Sequence, residues 1–145
     1  MQPYDRKQLL VDIFLHVNRD FNTFQQDTLR LVLGGVNSVS KTEAINAVSQ
    51  GMSELGRQIT LLEAGAWEPQ RDKGDVVNKP AHYDRLPMEP TYFIVTSGGY
   101  HWCIENFIKY LCRYRWKNGV EDLRKALRNL AMFLRDLEGD KGWSR

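Results

Sequence analysis

The sequence predicts an all-α fold, and three observations carry that prediction. Every long segment with a regular apolar pattern repeats at three or four residues, the spacing of one helix face. No segment sustains the apolar–polar alternation of a half-buried strand. Paired glycines and isolated prolines fall between the periodic segments, where helices have to start or stop. The expected architecture is an N-terminal helical unit followed by a C-terminal antiparallel helical hairpin with a preceding short helix.

The first helix is expected over residues 5–17, where Leu9, Leu10, Ile13, Phe14 and Val17 form an amphipathic stripe, with Asp5 as its cap. A second helix is expected over Phe24–Leu33, ending at Gly34-Gly35 because two glycines make continuation costly. Ser40 and Glu43 make an S-x-x-E capping box for a third helix, whose buried side is Ala44, Ile45, Ala47, Val48 and Met52 and which continues through Gly51 and Gly56 to Ala64. Residues 65–79 are polar and irregular and read as a linker. The domain division is therefore 1–64, a helical unit assigned to oligomerisation, and 76–145, the C-terminal domain. Within the latter, Pro90 starts a short helix over 90–97 that Gly98-Gly99 ends. A helix over His101–Trp116 and a final one over Val120–Glu138 are joined by the turn Lys117-Asn118-Gly119, so short that the two must lie antiparallel.

Composition narrows the class. A chain of 145 residues with 42% hydrophobic and 26% charged residues is long enough for one well-packed core. The longest apolar runs fall far short of a membrane span, and the N-terminal residues lack a basic-then-apolar leader, so a cytoplasmic protein is expected. Cys103 and Cys112 lie about 13 Å apart along one helix and are read as reduced core thiols. The net charge of +2 is uneven: from Lys109 to Arg145 ten Lys/Arg face five Asp/Glu, so this stretch carries +5 and the rest −3. The candidate anion site is C-terminal.

The helix over 101–116 is the most informative. Ile104, Phe107, Ile108 and Leu111 share its apolar face, and Trp102, Asn106, Lys109, Tyr110, Arg113 and Lys117 lie opposite. On the last helix, Asp122, Lys125 and Asn129 flank the buried stripe of Val120, Leu123, Leu127, Leu130, Leu134 and Leu137. If the two polar faces converge, excess positive charge stands beside one carboxylate, an arrangement suited to phosphate oxygens. Trp102, Tyr110 and Trp116 offer flat faces for a base, or simply pack. Arg115 falls on the apolar side, as a helix end or as a reach toward Glu105 or a neighbouring subunit.

Other motifs lead nowhere. Gly35 to Thr42 approaches a phosphate loop, but Ser40 replaces the second glycine and no alternating strands surround it. No zinc-type cysteine or histidine spacing and no G-x-S-x-G occurs. Asp122 alone is a thin basis for a metal site.

Residues 76–138 resemble a family of short phage-encoded proteins commonly labelled "nucleotide kinase". The resemblance rests on Val77-Asn78-Lys79-Pro80-Ala81-His82-Tyr83, Glu89-Pro90, then Asn106, Lys109, Tyr110, Arg113 and Lys117 at matching spacing, then Asp122-Leu123-Arg124-Lys125-Ala126. Glu105 stands where the family has glycine, and Tyr114-Arg115 replace its small Ala-Gly. The resemblance implies phosphoryl transfer to (deoxy)nucleoside monophosphates. It makes Arg113, Lys109 and Asp122 the catalytic candidates, and His82, Tyr83, Asn106, Tyr110, Lys117 and Lys125 the substrate-binding ones. The implied donor is a nucleoside triphosphate, and magnesium, if used, arrives with it. Nucleotides and further copies of the chain are the expected partners. The rival expectation is a non-catalytic phage protein that binds a host factor or sequesters nucleotides, with the unmatched N-terminal unit as its support. Acidic residues interrupting the basic surface argue against nucleic acid, and no membrane partner is expected.

Overall fold

A computed structural model of the chain describes residues 3–66 and 86–145. Among these residues there are six α-helices, one 3₁₀ turn and no strand: α1 (Pro3–Val17), α2 (Thr23–Asn37), α3 (Lys41–Glu63), α4 (Pro90–Ser97), α5 (Trp102–Arg113), the 3₁₀ turn Tyr114–Trp116 and α6 (Val120–Leu137). The all-α class is as expected. None of these helices is long and apolar enough to cross a membrane.

The glycine pair at 34–35 corrects the expected end of the second helix. α2 runs through both and stops at Asn37. A Cβ on Gly35 would lie 2.2 Å from the Ala47 Cβ and 3.0 Å from the Glu43 carbonyl oxygen, so this glycine lets α2 approach α3 closely. Packing between helices outweighs the roughly 1 kcal/mol that a mid-helix glycine costs. It also removes the phosphate-loop reading, since the stretch is a helix end and a turn. At Gly98 and Gly99 the expectation holds, because both have positive φ, 69° and 74°, which only glycine adopts freely. Pro90 stands at the start of α4 as expected.

Capping shows a similar mixture. Ser40 accepts from the Glu43 N–H, but the Glu43 carboxylate engages the Ser38 hydroxyl, so only half of the box at Ser40 forms. The complete box belongs to α2: Asn22 accepts from the Gln25 N–H at 2.7 Å, and Gln25 Oε1 accepts from the Asn22 N–H at 3.0 Å.

One core joins the two sequence units. Val11, Phe14, Leu29, Leu33, Val48 and Leu55 from α1–α3 pack in the same cluster as Phe93, Ile104, Phe107, Leu111, Leu123 and Leu130. Phe14 stacks on Phe93 with ring centroids 4.2 Å apart, tying α1 to α4. Asn18, fully buried, donates to the Met88 carbonyl at 2.8 Å and accepts from the Met88 N–H at 3.0 Å, which fixes the segment entering α4. Cys103 and Cys112 are buried free thiols, as expected. Burial pushes the pKa of both up, that of Cys103 to about 11.

Candidate functional site

The α5–α6 hairpin ends in a tight turn because Gly119 takes a positive φ of 57°, and its N–H donates to the Tyr114 carbonyl at 2.9 Å. This folds the end of α5 against the first turn of α6. Arg113 Nε and Nη2 thereby reach Asp122 Oδ2 and Oδ1, each at 3.3 Å. Asp122 is 0% exposed and Arg113 22%. The Asn118 backbone N–H and side-chain amide also donate to Asp122, at 3.2 and 3.5 Å. Each carboxylate oxygen thus receives two donors, and the charge sits in the first turn of α6, where the helix dipole favours it. Asp122 has no lone pair left for a substrate or a metal. It positions Arg113 and does not itself act on a ligand.

Two of the five guanidinium N–H groups are committed to Asp122, and the Nη1 edge has no acceptor among the described residues. The guanidinium also lies over the Tyr110 ring, 4.7 Å from its centroid. Lys125 sits 5.6 Å from the same ring and pairs with Glu121 at 3.5 Å. Tyr110 is therefore covered by cations, which makes it a poor stacking surface for a base and a good spacer between two positive side chains.

The remaining candidates separate. Lys109 is exposed and, with Arg113, lines a cavity of about 40 Å³ together with Leu86, Pro90, Thr91, Cys112 and Trp116. Asn106 is half-buried one turn earlier. Lys117 is exposed and lies beyond α5, which ends at Arg113 before the 3₁₀ turn Tyr114–Trp116. The helix expected over 101–116 is thus corrected at both ends, with His101 as N-cap accepting from the Cys103 N–H at 3.0 Å. His82 and Tyr83 lie outside the described residues, as does most of the expected linker. Trp102 is 60% exposed at the opposite end of α5, whereas Trp116 is 2% exposed and packs in the core.

Several site-supporting residues carried no sequence signal of their own. Gln25 donates from α2 to the Leu111 and Cys112 carbonyls at 2.9 and 3.3 Å, satisfying acceptors that the end of α5 would leave open. Arg115, buried, donates to the Asp20 carbonyl at 2.6 Å and to Gln25 Oε1 at 3.4 Å. It reaches neither Glu105 nor the surface but ties the 3₁₀ turn to the connection between α1 and α2. Its position on the apolar side of the wheel was the one available hint. Asn22 donates to the Tyr114 hydroxyl at 3.0 Å, adding a second tie. The bulk at Tyr114-Arg115 is therefore an anchor for the N-terminal helices.

With this geometry in place the comparison with known proteins bears on a defined segment. Residues 77–131 match a family described as a protein of unknown function (DUF3310). No curated protein and no solved structure matches the chain. The DUF3310 segment takes in α4, α5, the 3₁₀ turn and most of α6, so Lys109, Arg113, Trp116, Asp122 and Lys125 all fall within it, and α1–α3 lie outside.

Proposed function

We propose that the chain binds (deoxy)nucleoside monophosphates by their phosphate at Lys109 and Arg113 and transfers to them a phosphoryl group from a nucleoside triphosphate. The observation that carries this reading is the Arg113 fork, held by a buried, saturated Asp122 with its Nη1 edge free beside Lys109. A guanidinium fixed in advance meets phosphate oxygens without losing side-chain freedom at the moment of reaction. The acceptor phosphate oxygen forms a bond to the γ-phosphorus as the bond from that phosphorus to the β–γ bridging oxygen breaks. The charge that develops is stabilised by the cations on the site, and no protein nucleophile takes part. Lys109 supplies a compact charge, Lys125 raises the local potential through Tyr110, and Asp122 positions. The resemblance to phage nucleotide kinases supports the same reaction, in the host cytoplasm.

Purified protein incubated with each deoxynucleoside monophosphate and a triphosphate mixture, then resolved by chromatography, tests this. Diphosphate formation is expected, and its absence with every substrate removes the reaction. Tight binding without turnover leaves the sequestering alternative. Exposed Tyr92, Val95 and Trp102 on α4 and α5 favour the non-catalytic rival that binds a host protein, since large apolar side chains on a surface suit a protein partner. Leu9 and Ile13, exposed one turn apart on α1, support self-association, which light scattering at micromolar concentration checks.

A further inference from the structure

The structure assigns a ligand to the cavity between α4 and α5: we propose that it is an oxyanion pocket, in which an oxygen of a phosphate monoester accepts a hydrogen bond from the Trp116 indole N–H. This deepens the nucleotide reading of the same site and rests on it.

Trp116 is 2% exposed, yet its Nε1 has no hydrogen-bond partner among the described residues. An indole N–H is only a donor, and burying it without an acceptor is unfavourable, so the position asks for an acceptor from outside. The ring lines the same cavity as Lys109 and Arg113. Pro90 and Thr91, the first turn of α4, line it as well. The N-cap residue Glu89 makes no side-chain capping bond, so that turn presents its positive end without a cap.

The polar groups carried by the residues around the cavity are therefore nearly all donors or cations: an indole N–H, an ammonium, the remaining edge of a guanidinium and a helix N-terminus. Thr91 is the one hydroxyl, able to donate or accept. Burial pushes the pKa of the Cys112 thiol up, which keeps it neutral and at most a weak donor. Such a lining selects an acceptor-rich anion and rejects a base edge or an ammonium. Size adds a second constraint, because about 40 Å³ is the room of only a few water molecules, each of which needs about 10–15 Å³. A nucleotide cannot enter, but one phosphate oxygen can, with its sister oxygens left at the mouth for Lys109 and Arg113. In this arrangement Trp116 reads the phosphate and leaves the sugar and base outside.

The test is a titration of the full chain, labelled with nitrogen-15 at its four indoles, followed by proton–nitrogen correlation spectra. The Trp116 signal is assigned as the one lost in Trp116→Phe, or by elimination from the corresponding variants of Trp67, Trp102 and Trp143 if that protein does not fold. With inorganic phosphate or a deoxynucleoside monophosphate, the Trp116 indole proton is expected to move downfield and saturate with the same Kd as calorimetry gives. A folded Trp116→Phe should bind the monophosphate about tenfold more weakly, the scale of one charge-assisted hydrogen bond. The unphosphorylated nucleoside should leave the signal in place. If the monophosphate binds while the Trp116 indole stays still, or if the nucleoside moves it equally, the pocket assignment is overturned and the nucleotide reading stands. If neither phosphate nor any nucleotide binds, both are overturned.

Discussion

Arg113 and Asp122 stand nine residues apart in the chain and meet through two N–H···O bonds of 3.3 Å across the α5–α6 turn, with the carboxylate fully buried. A helical wheel makes Arg113 a surface cation on the face opposite Ile104, Ile108 and Leu111, one whose loss the fold would ignore. The pairing changes that expectation, because removing the guanidinium leaves a charge in the interior. Breaking a buried pair from one side costs about 3–5 kcal/mol. Asn118 still donates twice to Asp122 in the variant, which places Arg113→Ala near the lower end. Thermal melts should show a loss of about 3 kcal/mol. A melt unchanged within about 0.5 kcal/mol, the usual range for surface substitutions, would contradict the pairing.

Arg113→Lys separates the structural from the chemical role. An ammonium keeps a positive charge beside Asp122, so part of the stability should return. It cannot hold Asp122 with two parallel bonds and still offer an edge to phosphate, so phosphoryl transfer should remain low. Where an arginine clamps developing charge, its loss lowers the rate by about 10³–10⁵. Full recovery of turnover in Arg113→Lys would show that the fork is not used.

Lys109→Ala should show the opposite split. Lys109 is exposed at the cavity mouth, so the melt should move by less than about 0.5 kcal/mol. Calorimetric affinity for a deoxynucleoside monophosphate should nevertheless fall, and more steeply at low salt, where exposed charges are less screened. An unchanged affinity would take Lys109 out of the site.

Gly34 and Gly35 are expected to respond to alanine with opposite signs. A Cβ on Gly34 meets nothing within 4 Å, so Gly34→Ala should stabilise by about 0.5–1 kcal/mol through helix propensity. A Cβ on Gly35 collides with Ala47, so Gly35→Ala should destabilise by about 1–3 kcal/mol as an overpacking change. Equal responses in paired melts would mean that α2 and α3 do not approach closely there.

Alkaline pH should weaken the fold through the buried thiols. From an ordinary value of 9.0, burial chiefly, with a contribution from the Asp136 charge, pushes Cys103 up to about 11, and burial pushes Cys112 up as well. The folded state therefore keeps protons that the unfolded chain releases above about pH 9. Stability contributed by Cys103 is complete below that value and is lost as pH rises through about 11. Denaturation curves should show no thiol-dependent change from neutral pH to about 9, then a fall between about pH 9 and 11 that is smaller in Cys103→Ala. A flat profile would contradict the burial of the thiols.

The sequence by itself determined the helix class, the positions of α1, α4 and α6 to within a few residues, and the hairpin that brings the basic face beside Asp122. Each of these depends on local chemistry: the 3.6-residue repeat, Pro90 at a first turn, and glycines at 98, 99 and 119 in a left-handed conformation. Tertiary structure decided the rest. Whether Gly35 breaks a helix or admits a neighbour depends on Ala47, twelve residues away. Arg115 is an anchor only because α2 brings Gln25 against the end of α5, and Lys117 stands outside α5 because the helix tightens to 3₁₀ after Arg113. Trp116 enters the proposed site because its N–H is buried without an acceptor among the described residues. A residue pattern encodes which face of an element is apolar, but whether a buried donor finds a partner is settled by atoms from other elements, and no periodicity within its own helix records them.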